Sequence, residues 1–422
     1  MADWTAQVFQ NEYLPDGATD IHAIVTVTSQ DTGQAGESGG AAEAVIIDCS
    51  GSMGAPRSKI VAARQAAAAA VDEIADGTWF AVIAGVGLAQ PVYPPSGMAQ
   101  ADARTRAAAS AAVAQLTPQG GTAIGQWLLT AYEAFRAAPA TQRHAILLTD
   151  GKNEGETAEQ LRSAVETVTG EFQCDCRGVG ADWDVAELRG IATALLGSVD
   201  LIADPADMAA DFQAMMQAAM GRGVADAKLK VWAPQGAQLL FVRQVAPTID
   251  DLTDRRVNVT PLITEYPTGA WGDESRDYHV AVRVPAKAVG AEQLVARVQV
   301  EVGGQVVTQG LVKALWSDQS DLTTRINPAV AHYTGQAELA QAIQEGLAAK
   351  AEGDKDTATF KLGRAAQLAA ETGNEEATQR LRKVVDIEDA DTGTVRLKRD
   401  VSKLDEMALD TSSTKTTRVR PS

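Results

Sequence analysis

The chain has 422 residues, of which 45% are hydrophobic, and its 55 acidic residues outnumber its 37 basic residues to give a formal net charge of −18. Because this length exceeds the range in which a single hydrophobic core keeps growing, we expect two or three domains. The negative charge repels phosphate backbones and anionic lipid surfaces, so composition disfavours nucleic acid and membranes as partners.

Residues 1–40 are predicted to contain one or more strands followed by a linker. Residues 20–29, "DIHAIVTVTS", alternate apolar and polar side chains as antiparallel strands do, and the Gly/Ser-rich stretch "QDTGQAGESGGAAE" follows. The N-terminus lacks a secretory leader pattern, no apolar run has the length of a membrane span, and three cysteines are too few for a disulfide framework. We therefore expect a cytoplasmic protein.

Residues 41–222 are predicted to form a doubly wound α/β domain. Short continuous apolar runs such as "AVIID", "TWFAVIAGVG" and "RHAILLTD" alternate with Ala-rich helical segments. Continuous apolar runs indicate strands that are buried on both faces, and intervening helices indicate crossover connections in a mostly parallel sheet.

Residues 223–317 return to strict alternation, for example in "AKLKVWAP", "DYHVAVRVP" and "EQLVARVQVEV", which predicts an all-β domain with a sandwich architecture. The strand before the α/β domain would lack a partner unless it joined this later sheet. The pattern therefore predicts that the α/β domain is inserted in the β domain.

The last part of the chain is predicted to change from helices to a disordered tail. Residues 318–386 have helical spacing, which predicts a small bundle or cap, whereas residues 387–422 are predicted to be a largely disordered tail. The end, "TSSTKTTRVRPS", combines hydroxyl and basic side chains without an acidic one. We predict phosphorylation at Thr416 or Thr417, because a phosphate on an accessible tail can bind Arg-lined pockets of partner domains.

Polar side chains follow two of the predicted parallel strands and occupy a third loop. Their hydroxyl and carboxylate groups come from the stretches "AVIIDCSGSMGAPRSK", "TPQGGTAIGQ" and "ILLTDGKNEG", and are those of Asp48, Ser50, Ser52, Thr122 and Asp150. Ligands of an open α/β sheet bind outside the carboxyl ends of its strands, so we expect these side chains to meet. A set of oxygen donors alone favours a hard cation such as Mg²⁺.

This arrangement of an Asp-x-Ser-x-Ser loop, a Gly-Gly-Thr loop and a Thr-Asp-Gly turn resembles the metal-ion-dependent adhesion site of von Willebrand factor type A (VWA) domains. The resemblance covers roughly residues 42–222. It implies that Ser50 and Ser52 bind Mg²⁺ or Mn²⁺ directly, that Thr122 binds directly or through water, and that Asp48 and Asp150 act mainly through water. It also implies that a partner protein completes the coordination with an Asp or Glu side chain.

The order of the predicted domains is similar to that of bacterial intracellular VWA proteins, which are often associated with Ser/Thr kinases, phosphatases and forkhead-associated domains. A metal-dependent interaction module that acts as a signalling scaffold is therefore the first functional hypothesis, and it is not an enzyme. The first alternative is a substrate-selecting partner of an AAA-type ATPase. The second is a metal-dependent phosphohydrolase, although a haloacid-dehalogenase-like site would need a second aspartate where Ser50 stands.

Overall fold

The structure is a computed structural model that describes residues 2–35, 40–416 and 418. Contacts between Cα atoms divide the chain into two compact units. The first unit consists of Met1–Asp31, Ala227–Thr268 and Asp273–Ser422, and the second consists of Thr32–Asp226 and Gly269–Gly272. We refer to the second as the α/β unit and to the first as the β-rich unit.

The strands occur both in the continuous apolar runs and in the alternating segments of the sequence. In chain order they are β1 (Asp3–Gln10), β2 (Tyr13–Leu14), β3 (Asp20–Gln30), β4 (Ala41–Asp48), β5 (Trp79–Gly85), β6 (Gln90–Tyr93), β7 (Ala99–Gln100), β8 (Gln142–Thr149), β9 (Gln173–Val179), β10 (Val199–Ile202), β11 (Val224–Trp232), β12 (Gln238–Ala246), β13 (Asp250–Asp251), β14 (Val257–Thr260), β15 (Ile263–Trp271), β16 (Glu274–Arg283), β17 (Glu292–Val302), β18 (Gln305–Trp316), β19 (Val385–Asp389) and β20 (Thr394–Leu397).

The helices concentrate in the middle and in the last quarter of the chain. They are α1 (Ser58–Asp72), α2 (Ala103–Val113), α3 (Ile124–Arg136), α4 (Ala158–Val168), α5 (Val185–Ala194), α6 (Met208–Met220), α7 (Ser320–Thr323), α8 (Pro328–Glu352), α9 (Lys355–Glu371), α10 (Glu375–Val384) and α11 (Lys403–Ser412).

The sheet of the α/β unit has the strand order β10-β9-β8-β4-β5-β6, with β7 also paired to β5. The pairs from β10 to β5 are parallel, whereas β6 and β7 run antiparallel to β5 at one edge. Every residue of the central strand β4 is buried, as its continuous apolar run predicts. This mostly parallel α/β fold confirms the predicted class for this part of the chain.

Helix α3 packs tightly on strand β5 of this sheet. A Cβ atom on Gly85 would lie 2.7 Å from the Trp127 ring, so only glycine permits this approach. The Trp127 indole nitrogen donates a hydrogen bond of 2.6 Å to the Val86 carbonyl oxygen. The contact fixes α3, and with it the loop that precedes the helix, against the carboxyl end of β5.

The β-rich unit contains two larger sheets, with the orders β1-β3-β16-β12-β13 and β14-β15-β11-β17-β18-β2. Strand β3 pairs antiparallel with β16 from Glu274↔Ser29 to Arg283↔Asp20, so N-terminal residues share a sheet with residues more than two hundred positions later. The two sheets contact each other where Gly310 of β18 faces β1. A Cβ on Gly310 would lie 2.6 Å from Val8 Cγ2.

Residues 387–416 are folded in the structure, which differs from the predicted disordered tail over 387–422. Strands β19 and β20 form a hairpin, and α11 adds Leu409, which is fully buried, to the core of α8, α9 and α10. Composition alone suggested disorder because the segment is polar. A few buried side chains, including Val395 and Leu409, are enough to order it against preformed helices.

Among the described residues, no helix combines the length and the hydropathy that are needed to cross a bilayer.

Candidate metal site

Two carboxylates reach the same edge of the parallel sheet of the α/β unit. Asp48 is the last residue of β4, and Asp150 follows the last residue of β8, with Ile47 paired to Leu148. Both carboxylate residues have 0% exposure. The register of two neighbouring parallel strands therefore places both carboxylates at one point, as the sequence predicted.

Asp48 is hydrogen-bonded through both carboxylate oxygens. Its Oδ1 accepts from the Ser50 backbone N–H at 2.7 Å, and its Oδ2 accepts from the Thr149 hydroxyl at 2.6 Å. Burial raises the pKa of Asp48, these hydrogen bonds oppose that shift, and the neighbouring Asp150 carboxylate adds to it. Asp48 therefore holds the loop after β4 in place within a site that is poorly solvated.

The hydroxyls of Ser50 and Ser52 lie between the two carboxylates. Ser50 Oγ and Ser52 Oγ are 2.9 Å apart, and Ser52 Oγ donates to Asp150 Oδ1 at 2.6 Å. The other oxygen of Asp150, Oδ2, accepts a hydrogen bond of 2.6 Å from the Lys59 ammonium. Ser52 is exposed, whereas Ser50 is 2% exposed, so the cluster meets solvent at Ser52.

Thr122 faces the same space from the loop before α3. A Cβ on Gly151 would lie 3.4 Å from Ser52 Oγ and 3.6 Å from Thr122 Oγ1, so both hydroxyls border Gly151. The Thr122 carbonyl oxygen accepts from the Gly155 backbone N–H at 2.6 Å. This bond ties the loop of Thr122 to the loop that follows Asp150.

Two side chains of the loop after β8 cap the first turn of α3. Asn153 Oδ1 accepts from the Ile124 backbone N–H at 2.9 Å, and Glu156 Oε1 accepts from the Gly125 backbone N–H at 2.6 Å. These acceptors satisfy backbone donors that have no partner within a helix. The position of Thr122 is thereby fixed by the loop that carries Asp150.

The structure brings together all the side chains that the sequence predicted for the site, which are Asp48, Ser50, Ser52, Thr122 and Asp150. The sequence prediction omitted Thr149 and Lys59. The available signals were a hydroxyl directly before Asp150 and a basic residue in the first turn of α1, the helix that follows the loop of Asp48. Neither signal is specific, because such residues are common at strand ends and on helix surfaces.

The donor set fits a hard divalent cation. The side chains offer hydroxyl and carboxylate oxygens, which suit Mg²⁺ or Mn²⁺, and the Lys59 ammonium shows that the carboxylates attract a cation. Across the residues that the structure describes, no cluster of three or more His, Cys, Asp or Glu side chains forms a metal site of another kind. Hydroxyl oxygens therefore dominate the candidate site.

Thr416, one of the two predicted phosphorylation sites, lies in the β-rich unit. The Thr416 hydroxyl donates to the Val245 carbonyl oxygen at 2.5 Å, and its backbone N–H donates to the Pro247 carbonyl oxygen at 3.1 Å. Thr417 lies outside the described residues. Phosphorylation of either residue stays a prediction, and at Thr416 it would require loss of the bond to Val245.

Comparisons with known proteins identify the family of the chain. Residues 42–200 match the family described as von Willebrand factor type A domain, and residues 367–413 match the von Willebrand factor type A C-terminal domain. A von Willebrand factor type A structure from Catenulispora acidiphila is 48% identical, with a TM-score of 0.93, and the match covers 99% of this chain and 97% of that chain. The chain therefore belongs to the von Willebrand factor type A family, whose domains are protein-interaction modules that are generally not enzymes and often bind a divalent metal.

More distant structures share the fold. The ArnB paralog VWA2 from Sulfolobus acidocaldarius is 15% identical with a TM-score of 0.57, and the match covers 98% of each chain. The human COPII-coat protein Sec24c is 11% identical with a TM-score of 0.58, over 90% of this chain and 58% of that chain. None of the curated proteins compared with this chain matches it.

Proposed function

We propose that this protein binds a partner protein through a divalent cation, Mg²⁺ or Mn²⁺, at the site around Asp48 and Asp150. Ser50, Ser52 and Thr122 would hold the cation through their hydroxyls, and the two aspartates would act mainly through water. The bound cation would supply a coordination position for an Asp or Glu carboxylate of the partner. Because the site has few carboxylates of its own, an acidic ligand from outside suits it.

The observation that supports this proposal is the convergence of buried oxygens on one exposed hydroxyl. Asp48, Ser50, Thr122 and Asp150 are buried, while Ser52 is exposed and hydrogen-bonded to Asp150. A group that approaches from solvent therefore meets the cluster at Ser52. Two buried carboxylates in one place are costly unless cations or hydrogen bonds compensate them, so this arrangement suits a site that receives a divalent cation.

The residue two positions after Asp48 argues against a phosphohydrolase. A haloacid-dehalogenase-like site would carry a second aspartate where this chain has Ser50, so the site lacks the general acid that such a reaction needs. We infer that the protein is an interaction module rather than an enzyme.

We further propose that the protein is a cytoplasmic scaffold or regulator in a signalling or stress-response complex. In this view the α/β unit is an insertion in a β-sandwich that the N-terminal strands complete. Candidate partners are Ser/Thr kinases, phosphatases and forkhead-associated proteins.

Metal binding can be tested with the full-length protein and Mn²⁺. Electron paramagnetic resonance counts free Mn²⁺, so a titration gives the affinity directly. Wild type should bind one equivalent weakly, and the double variant S50A/S52A should lose this binding while its circular dichroism spectrum is unchanged. The control is S163A, which removes a hydroxyl from the exposed surface of α4. Equal Mn²⁺ binding by S50A/S52A and wild type would show that the site is assigned wrongly.

Partner binding can be tested by crosslinking in cells of the native organism, followed by mass spectrometry. A genuine ligand should be lost both in S52A and in wild type treated with EDTA, and it should be retained by S163A. Substitution of one Asp or Glu in that ligand should abolish binding. Recovery of a ring ATPase under the same criteria would favour the alternative function, a substrate-selecting partner of an AAA-type ATPase. If the ligands bind equally well in the presence of EDTA and to S52A, binding does not depend on the metal.

A further inference from the structure

A lysine side chain reaches into the candidate metal site. Lys59 is the second residue of α1, and its Nζ atom lies 2.6 Å from Asp150 Oδ2. The side chains are 13% and 0% exposed, so this ion pair is largely shielded from solvent. The other oxygen of the same carboxylate accepts from Ser52, which places the ammonium within the site rather than beside it.

Other cations near the site are directed elsewhere. Arg64, one and a half turns further along α1, donates to the Leu116 carbonyl oxygen. Arg57 and Lys152 are exposed. Within the ranges that the structure describes, the one ion pair found with the two aspartates of the site joins Lys59 and Asp150.

The charge of Lys59 changes what the site can bind. Two aspartates alone would match the charge of one divalent cation, and a neutral loaded site would have little attraction for an anionic ligand. With Lys59 present, the loaded site carries one net positive charge, which a single carboxylate neutralises. Shielding from water strengthens this effect, because the interaction energy between two charges is larger at a low dielectric constant than in water.

We propose that Lys59 is an internal counter-cation of the metal site. It neutralises Asp150, weakens the binding of a divalent cation alone, and makes the loaded site selective for a monoanionic carboxylate ligand. This inference rests on the proposed function, since it concerns the same site. It assigns to Lys59 a role in setting affinity and ligand charge, which differs from metal coordination.

The first test measures binding of Mn²⁺ alone to the full-length K59M variant. Methionine keeps the length of the side chain and removes its charge. An opposite charge within about 4–6 Å of an Asp lowers the pKa of that Asp by roughly 1–3 units. A divalent cation competes with Lys59 for the same carboxylate, so Mn²⁺ should bind K59M at least about tenfold more tightly than wild type. The matched control is K152M, which loses the same charge from an exposed position and should bind like wild type. Unchanged or weaker binding by K59M would overturn the inference.

A second measurement addresses the ligand charge with acetate as the probe. Acetate should tighten Mn²⁺ binding to wild type and should do so less for K59M, because the variant site is already neutral when loaded. Equal effects of acetate on both proteins would overturn the selectivity for a carboxylate.

A third measurement does not depend on metal. In EDTA, K59M should have a lower melting temperature than wild type, because a buried carboxylate has lost its cation, and K59M/D150N should recover part of the loss. K59R keeps the charge and should bind Mn²⁺ like wild type even if K59M folds poorly. No recovery in K59M/D150N would contradict the pairing.

These results separate the two proposals. Loss of Mn²⁺ binding in S50A/S52A together with unchanged affinity in K59M would refute the role of Lys59 and leave the proposed function intact. If S50A/S52A retains Mn²⁺ binding, the site itself is assigned wrongly, and both proposals fail.

Discussion

A fully buried histidine in the α/β unit should titrate far above its ordinary range. His144 Nδ1 lies 2.7 Å from Glu43 Oε2, and His144 Nε2 lies 2.9 Å from Asp175 Oδ2. Burial lowers the pKa of His144, but the two carboxylates outweigh this effect and raise the pKa to about 9 from 6.5. His144 is therefore a cation in the folded protein at neutral pH.

The consequence for stability follows from the direction of the shift. A folded-state pKa above the unfolded value contributes stability that is fully present below about pH 6.5 and is lost as the pH rises through about 9. At about 1.4 kcal/mol per pH unit, this contribution is about 3 kcal/mol. The pKa of Asp175 is held well below its usual range by His144 despite burial, so its contribution is lost only as the pH falls below about 4.

The assay compares wild type with H144Q in the full-length protein. Urea unfolding of the α/β unit should show that the difference in the free energy of unfolding between the two shrinks by about 3 kcal/mol from pH 6 to pH 10. Histidine ¹⁵N resonances give the titration directly. The signal that is absent from the spectrum of H144Q is assigned to His144. His279 is an internal control, because burial lowers its pKa to about 3 and it should stay neutral. A His144 signal that titrates below pH 7, or a pH-independent difference in stability, would refute the reasoning.

Further substitutions test other contacts. G178A should destabilise the α/β unit by about 1–3 kcal/mol in urea unfolding, since a Cβ there would lie 1.9 Å from Trp183, whereas G190A on an open helix surface should not destabilise it. R418A should lower the stability of the β-rich unit by about 1 kcal/mol, because Asp277 is buried and loses hydrogen bonds of 2.7 and 3.0 Å; an unchanged denaturation midpoint would contradict this. Hydrogen exchange in α6 should slow when Mg²⁺ is added, because α6 shares a core with the loop after β4; identical exchange would argue against any relay from the site to this helix.

In the metal site, sequence patterns predict the two aspartates but not the lysine. Asp48 and Asp150 follow continuous apolar runs, and parallel strands align their carboxyl ends, so local pattern and sheet topology together place both carboxylates at one edge. Lys59 carries no comparable signal. Its ammonium reaches Asp150 only because α1 starts beside the end of β8, and that packing is a tertiary result.

The contacts among the buried charged residues of the α/β unit could not be predicted from sequence either. Glu43, His144 and Asp175 are separated by about a hundred and by about thirty residues, and each lies in a strand whose residues are almost all buried. Their contact depends on the order in which β4, β8 and β9 join the sheet. A residue's neighbours across a sheet are not encoded in its own segment, so the shifted pKa of His144 could not be read from sequence.

The sequence by itself determined the parallel α/β fold, the strand alternation of the β-rich part and the residues of the candidate site, because these follow from periodicity and local turn chemistry. Only the tertiary structure decided that residues 387–412 fold as a hairpin and a helix, and which charges pair in the interior. Apolar side chains such as Val395 and Leu409 are too few to order that segment alone, but they suffice once α8, α9 and α10 offer a surface to cover. The apolar area that a segment buries depends on the neighbours it packs against in the folded chain. The composition of the segment alone does not contain this information.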